Sequence, residues 1–193
     1  MKTNIIISGV GGQGNLLASQ ILAKAALDKD HRVRIGETHG MAQRGGAVTS
    51  HVRIGDIYGA LVPEGRCDYL LGFEPVEALR QIKYMKEDGV AVVNEKPVVP
   101  VTVSIGEAEY PNPEEVLREI ESYCTLHRFD AYKIAKKLGN PIVMNIIMIG
   151  ALCKKGEKLP FDKEDIKEVL KEKIPQNFLE LDLGALDEGY NVL

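Results

Sequence analysis

The residues whose types and spacing could do chemistry fall in two glycine-punctuated segments within the first 46 positions. Gly9, Gly11 and Gly14 stand in the G-x-G-x-x-G spacing, after the β-branched run Asn4–Ser8 and before a helical period. In that setting the first glycine permits a tight turn and the second lets the backbone approach a pyrophosphate. The third allows close helix–strand packing, and the free N–H groups at the helix start attract an anion. Gly12 and Gln13 complete the loop as GVGGQG, and Glu37 stands where a dinucleotide fold sets a carboxylate against a ribose hydroxyl. The same glycines also serve a strand and helix that simply pack closely.

The second segment, Glu37–Gly46 (ETHGMAQRGG), has no apolar period of either kind. Gly40 and the Gly45-Gly46 pair give it backbone freedom. Thr38, His39, Gln43 and Arg44 supply polar groups, and Met41 supplies a flexible apolar contact. The planar fork of Arg44 suits a carboxylate or phosphate, the alternative being a solvated surface arginine. His39 has no Ser–His–Asp or Cys–His set around it, which disfavours acid–base catalysis. His51 and His127 read as structural or solvated.

These segments need elements to position them. Asn4–Ser8 reads as a strand, residues 15–28 as a helix and His31–Gly36 as a second strand, a βαβ unit with a parallel pair. Ala47–Gly55 alternates one-sidedly, which suits an edge or antiparallel strand. Cys67–Phe73 and Gly89–Asn94 read as strands covered on both faces, with a helix opening at Glu74-Pro75 and running to about Lys86. Val98–Ile105 is strand-like but broken by Pro100, so it belongs at an edge or in a connector. Helices are expected from Asn112-Pro113 to about Tyr123, from Asp130 to Leu138-Gly139, over Ile142–Lys154 and over Phe161–Ile174 with Asp162 as N-cap; Cys124–Phe129 is a last short strand. The charges of Asp162–Lys173 read as i, i+4 pairs on a wet face, and the leucine-rich tail after Pro175 as a packed, mostly helical segment. No repeat or linker divides residues 1–193, which form one α/β domain with a helical C-terminal part.

Composition narrows the function. Lys and Arg number 24 against 28 Asp and Glu, a net charge of −4, so no basic field exists to gather counterions from a phosphate backbone and nucleic acid is excluded as a partner. No stretch approaches the roughly 20 apolar residues of a membrane span, and no signal segment opens the chain, so the expected location is the cytoplasm. Cys67, Cys124 and Cys153 are widely spaced, with no C-x-x-C pair. Three thiols do not supply the four of an iron–sulfur cluster, and their spacing does not suit zinc, so no metal is expected on this chain.

Taken together, Gly9–Gly14 with its following helix and Glu37–Gly55 (ETHGMAQRGGAVTSHVRIG) resemble the gamma-type domain of the 2-oxoacid:ferredoxin oxidoreductases. The form Thr38–Gly46 looks most like the beta subunit of the indolepyruvate branch. The resemblance covers essentially the whole chain. It implies a three-layer α/β/α fold with a mostly parallel, mixed sheet and a Rossmann-like first βαβ unit. It further implies thiamine-dependent oxidative decarboxylation of an aryl-2-oxoacid with coenzyme A as co-substrate, giving an acyl-CoA, CO₂ and reduced ferredoxin. Thiamine diphosphate, Mg and 4Fe–4S clusters would belong to a large alpha subunit, and ferredoxin would be reached through the complex. This chain would be inactive alone and prone to self-association, lining a shared cavity with Gly9, Gly11, Gly12, Gln13, Gly14 and Thr38–Gly46. The competing readings are a gamma subunit of another 2-oxoacid branch and a stand-alone NAD(P)-binding protein.

Overall fold

The computed structural model describes residues 2–39, 46–99, 103, 106 and 109–193. Its described strands are β1 (Lys2–Val10), β2 (Val33–His39), β3 (Ala47–Gly55), β4 (Cys67–Gly72), β5 (Met85–Asn94) and β6 (Thr125–Phe129). Its α-helices are α1 (Asn15–Leu27), α2 (Pro75–Leu79), α3 (Pro113–Glu121), α4 (Ala131–Lys137), α5 (Met144–Lys155), α6 (Lys163–Lys173) and α7 (Gln176–Asn191). The six strands form one sheet in the order β2-β3-β1-β4-β5-β6. β1, β4, β5 and β6 run parallel, whereas β3 is antiparallel to both β1 and β2.

Strand alternation decides the layers. Ile5 and Ile7 of β1 point to one face with Val52, Leu71 and Val92, where α1 and α4 to α7 cover them. Ile6 points to the opposite face with Leu70, Ala91 and Val93, beneath Ala78 of α2 and Leu117 and Ile120 of α3. The mixed three-layer sheet therefore matches the expected class. Local signals also hold: the Asp162 carboxylate and Asp165 form a reciprocal capping box at the start of α6, and Gly139 follows α4 with φ 96°.

Several expectations need correction. β1 and β2 run in the same direction but are not hydrogen-bonded neighbours, because β3 lies between them. The β2 strand extends through Glu37, Thr38 and His39, which their polarity had marked as loop; pairing with Val48–Ser50, a partner local sequence does not reveal, makes them strand. β3 is antiparallel as read, yet it is internal rather than an edge. Its polar face is covered by residues 57–66, so His51 is buried and its Nδ1 accepts the Val62 N–H at 3.2 Å. Helix α2 stops at Leu79, a 3₁₀ turn follows at Ile82–Tyr84, and β5 begins four residues early at Met85, held by pairing with Cys67 and a Lys86–Asp68 ion pair. Val98 and Val99 carry no strand, and most of the remainder of Val98–Ile105 lies outside the described residues. The charges of α6 pair at i, i+3 and across to Lys24, Lys29 and Asp187, as well as facing water.

Candidate functional site at the glycine turn

Strands β1, β4, β5 and β6 end at one edge of the sheet, and the glycine turn sits at the point where connections diverge: β1 leads to α1 on one face, β4 to α2 on the other. A crevice outside the carboxyl ends of the strands is the usual ligand position in such sheets. Here Gln13 spans the strand ends. Its Oε1 accepts the Val10 N–H at 2.8 Å and its Nε2 donates to the Phe73 carbonyl at 3.1 Å, so one carboxamide straps the end of β1 to the end of β4. Gly9 is required by this strap, because a Cβ there would lie 2.6 Å from Gln13 Oε1 and 3.0 Å from Phe73 Cβ.

Three further carboxamides fix the surroundings. Asn94 Nδ2 donates to the Phe73 carbonyl at 3.0 Å while its Oδ1 accepts the Ala131 N–H at 3.0 Å, tying β5 to α4. Asn15 Nδ2 donates to Val48 O at 3.1 Å, and Asn145 Nδ2 reaches Gly14 O at 3.5 Å. Gly14 caps α1 in the left-handed region, φ 82°, where an L side chain is strained and a Cβ would fall on Asn145's carboxamide. Buried Glu74 caps α2 by accepting the Glu77 N–H at 2.9 Å and also accepts the Tyr110 hydroxyl. Burial and the Glu74 charge push the Tyr110 phenol well up, so it stays protonated as that donor.

The two sequence motifs meet. The Gly11 N–H donates to the Gly46 carbonyl at 2.9 Å, and Gly9 and Val10 pair with Val48 and Ala47. Thr38 is exposed and pairs with Thr49; the backbone of His39 pairs with that of Val48. Gly40, Met41, Gln43, Arg44 and Gly45 lie outside the described residues. Glu37 is exposed on edge strand β2 opposite Ser50 and does not line the hollows at the turn.

Two hollows flank the turn. One, about 470 Å³, lies between Gly11–Leu17 and residues Ile142, Asn145, Ile146 and Asp182 of the helical layer. The other, about 260 Å³, is lined by Gly12, Gln13, Val98, Tyr132, Pro141, Ile142 and Met144. Ile142, 71% exposed, stands between them, with Leu16 47% exposed nearby. At the opposite edge of the sheet a cleft of about 480 Å³ collects Lys154, Lys155, Lys158, Asp88 and His127, whose imidazole is pushed down by burial and by Lys155. Sequence reasoning missed Asn15, Phe73, Asn94, Asn145 and Asp182. The signal for Asp182 was present: it sits at i+3 from Leu179 and i−4 from Leu186, on the apolar stripe of α7.

No group of three His, Cys, Asp or Glu side chains among the described residues could hold a metal ion. Burial pushes the Cys67 thiol far up, the Cys124 thiol to about 11 and the Cys153 thiol to about 12. Among the described residues no helix is long and apolar enough to cross a membrane.

A family model described as pyruvate ferredoxin/flavodoxin oxidoreductase matches residues 4–192. Indolepyruvate oxidoreductase subunit IorB of Pyrococcus horikoshii is 46% identical over 189 residues, covering 96% of this chain and 93% of that protein. The subunit of the same name from Thermococcus kodakarensis is 44% identical over the same shares of the two chains. Among solved structures, pyruvate oxidoreductase subunit PORC from Thermotoga maritima matches with a TM-score of 0.74 at 26% identity, over 98% of this chain and 95% of that one.

Proposed function

The chain belongs to the pyruvate ferredoxin/flavodoxin oxidoreductase family, and from that premise we propose that it is the small subunit of an indolepyruvate oxidoreductase. Its complex would decarboxylate an aryl-2-oxoacid oxidatively with coenzyme A and pass the electrons to ferredoxin. The observation that carries this reading is similarity to the IorB subunits over nearly the full length of both chains, together with a turn whose strand ends are strapped by Gln13. That strap, and Glu37's place away from the turn, disfavour the NAD(P) reading.

The thiols do not fit a cluster, being three and shifted far up by burial, and the described residues offer no metal group. The thiamine diphosphate, Mg and iron–sulfur clusters therefore belong on the large subunit in this reading, and no step runs through this chain's own thiols. The chain's part is to dock and to shape the cavity. The exposed Ile142 and Leu16 supply apolar contact, and Arg44 of the Thr38–Gly46 segment supplies a cation for an anionic substrate.

Co-expression with the large subunit tests the proposal. A stable complex containing iron and thiamine, reducing a viologen dye with indolepyruvate and coenzyme A, is expected, while the small chain alone is iron-free, inactive and self-associating. A chain that ignores the large subunit and binds NADH with micromolar affinity overturns it; the expected NADH affinity is no tighter than about millimolar, some −4 kcal/mol.

A further inference from the structure

Among the described residues Asp182 is the one acidic side chain lining the hollow beside the glycine turn, and it is 7% exposed. Among the described residues it makes no ion pair or hydrogen bond, and burial alone shifts its carboxyl upward. Asn15, which also lines the hollow, spends its Nδ2 on Val48 O, and its Oδ1 is sealed beside Gly9 rather than open to the hollow. The remaining walls include Leu16, Leu17, Ile142 and Ile146. The hollow thus presents apolar sides and one side-chain carboxylate, that of Asp182, with no donor among the described residues. An anion would meet the carboxylate; a neutral apolar group would strip its remaining water and offer it no donor. A cation on an aliphatic stem satisfies these walls, its stem on the leucines and isoleucines and its N–H groups on the carboxylate.

We infer that this hollow receives the ammonium or guanidinium tip of a lysine or arginine side chain of the large subunit, with Asp182 as counter-charge. The inference rests on the subunit reading above. The position supports it: Leu16 and Ile142, two of the exposed apolar side chains near the turn, line the hollow. The competing role for Asp182 is to balance the N-terminal dipole of α1, but no amide of α1 reaches its carboxylate.

Asp182→Asn and Asp182→Leu distinguish these roles in two measurements on the full chain. As a waiting counter-charge, Asp182 is an unpaired buried carboxyl in the free subunit, so both variants should raise its melting temperature, by about 2–4 °C. The same variants should bind the large subunit at least 10-fold more weakly at low salt, and with a shallower salt dependence. Asp187→Asn, on the same helix but paired with Lys163 and Lys167, should leave the affinity unchanged. A lower melting temperature for Asp182→Asn assigns Asp182 to α1 and overturns the inference, as does unaltered affinity for the large subunit. If the unsubstituted chain fails to bind the large subunit at all, the subunit reading falls with it, a result distinct from either of the others.

Discussion

Gly11 donates its amide to the carbonyl of Gly46 at 2.9 Å. Thirty-five positions separate them in the chain, yet this bond joins the G-x-G-x-x-G turn to the end of the ETHGMAQRGG segment. It exists because β3 returns antiparallel along β1, bringing Ala47 opposite Val10. The parallel β1–β2 pairing of a dinucleotide fold would have left no strand to make that return. The inserted strand is what turns two separate motifs into one rim.

The Gln13 strap should be worth measurable stability. Gln13→Leu keeps the bulk but leaves the Val10 N–H without its acceptor and removes one of two donors on Phe73 O, an expected loss of about 1–3 kcal/mol in urea denaturation. Gly14→Ala should cost about 1–2 kcal/mol from its left-handed backbone alone, with displacement of Asn145 added. Wild-type midpoints in both variants would remove the turn from the list of structural anchors.

Arg44 carries a prediction that rests on sequence. Arg44→Ala in the assembled complex should raise the KM for coenzyme A or the 2-oxoacid, or lower turnover, by roughly 10- to 100-fold, equivalent to about 1.4–2.8 kcal/mol. Arg44→Lys should restore only part, since an ammonium keeps the charge and loses the fork. Normal kinetics in a normally assembled complex would make Arg44 a solvated surface arginine.

His51 should give the fold an acid-side weakness. Burial, then the Arg53 charge, hold its imidazole below the ordinary value of about 6.5, while its Nδ1 accepts from Val62. The unfolded chain therefore binds the proton first, so this contribution is complete above about pH 6.5 and declines as pH falls toward the lowered folded value. The difference in stability between wild type and His51→Asn, whose Oδ1 can still accept the Val62 N–H, should shrink on going from pH 7.5 to 5. Because His127 is shifted in the same direction, the comparison is made between variants rather than on wild type alone. A difference that stays constant across that range would refute the assignment.

The thiols should be inert in the native chain. With Cys124 at about 11 and Cys153 at about 12, their thiolate fractions at pH 8 fall roughly 100-fold or more below that of a free cysteine. Ellman's reagent should therefore react slowly with the folded protein and rapidly, at three sites, in guanidinium. A thiol labelled within seconds in the native state would show that one of them lies in an open, electropositive setting.

What was legible in the sequence was whatever is encoded locally. The Asp162 cap, the Gly139 stop and the β-branched run of β1 each state their structure within a few residues. What was hidden depends on partners far along the chain. Glu37–His39 are strand only because Val48–Ser50 lie beside them, and His51 is buried only because residues 57–66 cross its face. At the site, the glycines were visible as a spacing, while Gln13's task required knowing that Phe73 would end beside Val10. Asp182 broke the apolar stripe of α7 and could have been noticed for that reason alone.

The placement of β1 also governs how the chain is made. Of the six described strands it is the first to be synthesised, and it lies in the interior of the finished sheet, between β3 and β4. When β3 has emerged, at Gly55, β1 has a partner along one edge only, and the other edge stays open until Cys67–Gly72 follow. A nascent chain in that interval presents Ile5, Ile6 and Ile7 beside a row of unpaired backbone groups, a template for joining another chain edge to edge. The interval is short in sequence, about a dozen residues from Gly55 to Cys67, which is under three seconds at ordinary rates of synthesis. Lengthening the 56–66 connection would prolong it, and the yield of intact protein in cells would register the change before any property of the folded molecule did.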